Sequence, residues 1–285
     1  MMSSADTSIR APIVLSFAAN LAIALLVLIL SGGAMLHFNA AGPSLHTVLD
    51  TSVALTGVLV ALLFWDMSRR TDDSWPLFLA ISFAFLVLGE ALHVMAVLGW
   101  LGGGAGADVQ FRAGTWGPAG HLLPLGVGAA LLLRHRPRSF SWLFAAGLAV
   151  LAVLLAAFFL VAPRYVAPGF LWVTRPTLIL VPLLWAAVGW AYWRQRDETE
   201  VARAVVPSAV ILMIAHGVML YSRAPSDATA LVAHLGKLVG EALLLFNLMQ
   251  IGAADTVRRR QAERELLAIN RDLDEIGRAS CRERV

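Results

Sequence analysis

The sequence predicts an all-α membrane protein: a polytopic bundle of about eight transmembrane helices followed by a cytoplasmic coiled-coil helix. Three observations lead there. Hydrophobic residues make up 59% of the 285 and charged residues 14%, with a mean hydropathy of +0.74, whereas soluble domains carry roughly 25% charged residues. The apolar residues collect into runs of roughly 20, the length of helix that crosses a hydrocarbon core about 30 Å thick. After Ile251 the chain turns strongly charged yet keeps apolar residues on a heptad-like spacing.

Taken in order, residues 1–9 are polar and expected to be disordered, so that residues 1–10 form a tail ending in Arg10. The membrane bundle is expected over 11–252. Its first span covers roughly residues 11–32 and ends at Gly32-Gly33; no small-residue cleavage site follows it, so it reads as a retained span and not as a signal peptide. A short loop with His37 and Asn39 leads to the second span at roughly 44–66. The polar turn SRRTDDS separates it from the third, roughly 75–100. The segment GGGAGADVQFRAGTWG is too rich in glycine and polar residues to read as helix. The remaining spans lie at roughly 117–133, 140–162, 172–193, 205–221 and 229–252. Pro118, Pro124, Pro176, Pro182 and Pro207 fall in or near them as ordinary membrane-helix kinks. Gly236 and Gly240 form a small-xxx-small pair on the last span, which suits close helix packing.

Eight spans place both termini on one side. Arg69, Arg70, Arg134, Arg136, Arg138, Arg194, Arg196, Arg203 and Arg258, Arg259, Arg260 gather on that side, against Arg112, Arg164, Arg175 and Arg223 on the other. The asymmetry predicts cytoplasmic termini. Arginines confined to such loops set topology, so the net charge of +3 carries no implication of nucleic acid. Trp75, Trp100, Trp116, Trp172 and Trp193 fall at predicted helix ends, where an interfacial belt is expected. The single cysteine, Cys281, excludes an intrachain disulfide and any cysteine-based zinc or iron–sulfur site.

In residues 253–276, Leu266, Ile269, Leu273 and Ile276 follow a 3-4-3 spacing, the seam of a coiled coil that continues from the last span and would pair two copies as a homodimer. A solvated amphipathic tail is the plainer alternative. Residues 277–285, GRASCRERV, break the heptad and read as a cloning or assembly junction, with a cytoplasmic output domain expected beyond this sequence.

The informative residues are ionisable groups inside apolar spans, which cost roughly 2.5–3.5 kcal/mol each when charged at mid-helix. His46 and Asp50 stand four apart on one face of the second span; Glu90 and His93 stand three apart on the third. His121, His216, His234, Lys237 and Glu241 complete the set. With the topology above, all lie toward the non-cytoplasmic side, on five helices. Three readings stay open. The groups pair with one another and hold the helices together. Alternatively they hold a transition metal or haem, with His46, His93, His121 and His234 as candidate ligands. Or they form a pocket that senses a small ligand or protons. The sequence has no phosphate-binding glycine loop, no H-E-x-x-H and no kinase or cyclase signature, so no catalytic residue is assigned.

The same residues carry a family resemblance. Leu45-His46-Thr47 with Asp50 resembles an F-H-T-x-x-E-like start of a span that Trp65 closes. Glu90 and His93 resemble a D-x-x-H-like end to the next, with the carboxylates exchanged between Asp and Glu, and Ala233-His234 with Lys237 resembles a G-H-x-x-K opening of the final span. Trp116 and His121 correspond loosely to a tryptophan-arginine motif. Over roughly residues 44–252 the chain is similar to the third class of bacterial membrane-associated sensor domains, the MASE type. The resemblance implies an inner-membrane input module of a histidine kinase or diguanylate cyclase. A haem- or metal-binding membrane redox protein is the alternative.

Overall fold

A computed structural model describes residues 5–37, 43–71, 73–100, 108–134, 140–160, 170–224 and 226–282. They form eight α-helices: α1 (Ala5–His37), α2 (Pro43–Arg70), α3 (Trp75–Val97), α4 (Asp108–Leu132), α5 (Phe140–Leu160), α6 (Leu180–Arg194), α7 (Glu200–Met219) and α8 (Ala228–Arg282). Two short 3₁₀ turns, Phe170–Trp172 and Pro176–Leu178, precede α6, and there is no strand among the described residues. Seven helices are long and apolar enough to cross a membrane; α4 is the one outside that set. Its glycines, Pro118, His121 and Pro124 dilute its hydropathy. It lies against α3, α5 and α6.

The packing order explains which helices are wholly apolar. Helices α2, α3, α4, α6, α7 and α8 pack each on the next, and α8 returns to α2, closing a ring of six. Helix α1 lies outside against α7 and α8, and α5 outside against α3 and α4. Lipid replaces water outside such a ring, so a peripheral helix is apolar all round while remaining exposed. In α5 only 6% of the spanning window is buried, and in α1 17%, against 67% in α3 and 61% in α7.

Most of the interior is a single apolar core. Phe64 of α2, Phe83 and Leu86 of α3, Trp185 and Tyr192 of α6, and Leu212 and Leu248 of the last two helices are fully or almost fully buried in it. Tyr192 satisfies its hydroxyl by donating to Val127 O (3.0 Å). Small residues set the closest approaches: a Cβ on Gly89 would stand 2.6 Å from Ala119 Cβ, and one on Gly236 2.7 Å from Ala215 Cβ. The small-xxx-small pair of α8 thus seats α7 inside the bundle.

The two ends of the ring differ. At one end Arg134 bonds Gln195 and Glu198 (both 2.8 Å), and Arg258 pairs with Glu200 (2.7 Å). These partly exposed pairs add little stability each, but they tie Arg134, just after α4, and Arg258 of α8 to the α6–α7 turn and the first residue of α7. Thr199 caps α7 there by accepting from Ala202 N (3.0 Å). At the opposite end Asp227 caps α8, accepting from Ala230 N at 2.7 Å. The segment before α6 is pinned to the end of α7, with Thr174 N donating to Leu220 O (2.9 Å).

Several boundaries differ from the sequence-based expectation. Residues 5–9, expected to be disordered, are the first turns of α1. Gly32 does not end that helix; it lets α1 approach α8, where an added Cβ would meet Val232 Cγ1 at 3.1 Å. Residues 108–116, read as loop, begin α4, because the glycine-dense part of that stretch lies before Asp108. The sixth span is not one helix from 172: Leu171 and Trp172 both take φ near 59°, and α6 starts at Leu180. The helix of α8 persists through Arg282, past the expected break after Ile276.

Candidate functional site

Polar side chains from five helices of the ring converge in its interior at the end opposite the Arg134 and Arg258 pairs. Asp50 of α2, fully buried, is the centre. His46 stands one turn before it on the same helix, with Nε2 3.0 Å from Asp50 Oδ2. His93, near the end of α3, puts its Nε2 3.4 Å from the same oxygen. His234, near the start of α8, puts Nδ1 2.6 Å from Oδ1. Three imidazoles therefore surround one carboxylate, with the His46 and His234 rings 4.3 Å apart. Chain direction explains the convergence. Helices α2 and α8 enter the membrane at this end and α3 leaves there, so residues early in two spans and late in the third share one level.

Beside this group Lys237 of α8 donates to Glu90 Oε1 of α3 (2.5 Å), both side chains buried. An ion pair in this setting offsets the heavy desolvation of each member, and each is costly without the other. Glu241, one turn further along α8, is buried with Oε2 directed at α2, where a Cβ on Gly57 would lie 3.8 Å away. The tight contact at position 57 is with α3 instead, where an added Cβ would meet Val87 Cγ2 at 3.1 Å.

Trp116 of α4 ties in the next layer. Its ring stacks on His216 (6.0 Å), meets His234 edge-on (6.2 Å) and lies under the Lys237 ammonium (5.1 Å). It is 4% exposed, so it belongs to the interior and not to the interfacial belt; Trp75, packed on Tyr192 (6.5 Å), is likewise inside. His216 donates Nδ1–H to Leu212 O (2.7 Å), and His121 donates to Gly117 O (2.8 Å) while packing on Phe158. Each imidazole thus bonds its own helix through Nδ1. The structure thus brings His46, Asp50, His93 and His234 into direct contact, sets Glu90 and Lys237 beside them, and joins His216 through Trp116. His121 and Glu241 line the same interior without touching the carboxylate at its centre. Thr115, hydrogen-bonded to His93 Nδ1 (3.0 Å), is a site residue that sequence reasoning misses. Its only signal there is a hydroxyl next to a tryptophan in a stretch that reads as loop.

The central contacts are unusual in one respect. None of the three imidazole–carboxylate approaches meets hydrogen-bond geometry, and His46, Asp50, His93 Nε2 and His234 Nδ1 have no hydrogen-bond partner among the described residues. His46, Asp50 and His93 each offer one ligand atom, and those atoms lie within 4.8 Å of one another.

The chain matches the family model of a membrane-associated sensor domain, MASE3, over residues 41–253. It belongs to the MASE3 family. The match begins just before α2 and ends in α8, so the ring of six helices and α5 are the MASE3 domain, and α1 precedes it. No curated protein matches the chain. As a MASE3 domain the bundle is a multi-pass sensory module of a membrane.

Proposed function

We propose that this MASE3 bundle is the input domain of a bacterial histidine kinase or diguanylate cyclase. Its receptive element is the cluster of His46, Asp50, His93 and His234, with Glu90 and Lys237 as the adjoining charge pair. The arginine-rich end faces the cytoplasm with both termini, and the cluster faces the periplasm across the inner membrane.

One observation carries this reading. Helix α8 holds His234 and Lys237 in the cluster and continues as a single helix of 55 residues to Arg282. Beyond the bundle its Leu266, Ile269, Leu273 and Ile276 are 61%, 54%, 59% and 65% exposed. An exposed apolar seam at heptad spacing on an isolated helix needs a partner, and a second copy supplies an identical one. A change in the contacts of Asp50 would shift α8 against α2 and α3, and a rigid helix transmits the shift to whatever output domain the paired helices carry.

The test joins α8 in register to a cyclase or kinase domain and measures output in membranes. Asp50→Asn and His93→Ala are expected to move output by several-fold while the protein stays membrane-inserted. Output identical to the unsubstituted fusion in both variants, under every condition that changes the unsubstituted fusion, contradicts the proposal.

A further inference from the structure

We infer that His46 Nε2, His93 Nε2 and the Asp50 carboxylate form a binding site for one divalent transition-metal ion, Zn²⁺ foremost. The inference names the ligand of the cluster proposed above as a sensor, and it relies on that reading only for its signalling consequence.

The geometry comes first. Ligands bound about 2.0–2.1 Å from a tetrahedral zinc stand roughly 3.3–3.4 Å apart. The approach of His93 Nε2 to Asp50 Oδ2 is 3.4 Å and that of His46 Nε2 is 3.0 Å. Neither is a hydrogen bond, although all three side chains are at most 5% exposed. A buried polar atom with no partner costs about 1–3 kcal/mol, and here one such atom from each of His46, Asp50 and His93 lies within 4.8 Å of the other two, around a common point. A cation at that point turns each of them into a ligand.

The surroundings suit a metal as well. When His93 donates Nδ1–H to Thr115 Oγ1, its Nε2 lone pair is free to coordinate, which is the usual way an outer hydrogen bond fixes a ligating imidazole. His234 Nδ1 stands 2.6 Å from the other carboxylate oxygen, Asp50 Oδ1. A divalent ion with one carboxylate and two neutral imidazoles leaves a single positive charge. Lys237 is already paired with Glu90 and so adds no unbalanced charge beside it. Nitrogen and oxygen donors without sulfur favour Zn²⁺ or Cu²⁺ over Cu⁺. Three protein ligands leave a fourth position for an exchangeable group. Two-imidazole haem ligation does not fit: imidazoles that share one carboxylate cannot stand on opposite faces of a macrocycle.

The experiment titrates the chelator-treated, detergent-purified full chain with Zn²⁺, Cu²⁺ and Co²⁺ salts alone. The expected result is one equivalent of Zn²⁺ per chain, with affinity at least about 100-fold lower in His93→Ala and Asp50→Asn. Thr115→Val and His234→Ala, which remove supporting groups, should weaken binding by roughly 10–100-fold. His37→Ala, at the exposed end of α1, should leave it unchanged. Co²⁺ in the unsubstituted chain should give the intense visible bands of a four-coordinate nitrogen–oxygen site, a readout that needs no variant to fold. Absence of saturable Zn²⁺ binding, weak six-coordinate cobalt bands, or equal affinity in His93→Ala would each overturn the assignment. Failure of the sensor reading looks different. If metal binds as expected but neither metal nor His93→Ala changes the output of the α8 fusion, the site stands and its signalling role falls. If no metal binds while His93→Ala still changes output, the sensor reading stands and the metal falls.

Discussion

Lys237 and Glu90 show how much a single buried partner is worth in this bundle. With both side chains shut away from solvent, removing one leaves the other charged and unpaired, a loss of about 3–5 kcal/mol. We predict that Lys237→Met or Glu90→Leu alone lowers bundle stability by that order in a reversible unfolding titration. The double variant should recover most of the loss, because it removes both desolvated charges. Additive losses would show that the two groups are not a pair. At this scale the sequence is informative: ionisable residues in apolar spans are conspicuous, and His46, Asp50, Glu90, His93, His234 and Lys237 stand out for that reason. The partnerships are not legible. Spacing within a helix places His46 over Asp50, but that His93 and His234 meet the same carboxylate depends on which helices are neighbours. Thr115 and the inward turn of Trp116 are hidden because residues 108–116 look like a loop.

Among the helices, close approach governs what can change. Gly236 of α8 sits against Ala215 with no room for a side chain. We expect Gly236→Leu to force α7 and α8 apart and to destabilise the bundle by about 1–3 kcal/mol, the usual cost of overpacking. Gly252, on the same helix, faces open space. Gly252→Ala should stabilise α8 by about 0.5–1 kcal/mol through helix propensity alone. Thermal unfolding of the two variants in one detergent compares them; a shift of the same sign in both contradicts the close seating of α7 on α8. The seam of α8 makes a third case. Leu273→Glu places a charge on the heptad face, and disulfide trapping of Leu266→Cys between copies, in a Cys281→Ser background, should then fall to background. Undiminished trapping would mean that α8 pairs along another face. Helix existence is readable from hydropathy because a spanning segment must satisfy its backbone internally. Helix ends are less so, since Gly32 and the glycine-rich stretch before α4 punctuate sequence without always stopping a helix.

For the whole molecule, a ring of six helices with α1 and α5 outside puts a polar cluster at one end and the Arg134 and Arg258 ion pairs at the other. The arginine asymmetry predicts that a cysteine replacing exposed Glu265, again in a Cys281→Ser background, reacts with an impermeant thiol reagent in inverted vesicles and not in right-side-out ones. The fold class is legible from composition and run length alone. The ring is not, because lipid-facing and interior residues are equally apolar and no amphipathic stripe marks which helix meets which. The proposed sensory role requires that the state of Asp50 and its histidines be coupled to the part of α8 beyond the bundle. Distances between spin labels on Glu265→Cys in paired chains, measured in bilayers with and without Asp50→Asn, test it most directly. The account predicts a displaced distance distribution in the variant. Superimposable distributions, from protein equally well folded, would contradict it.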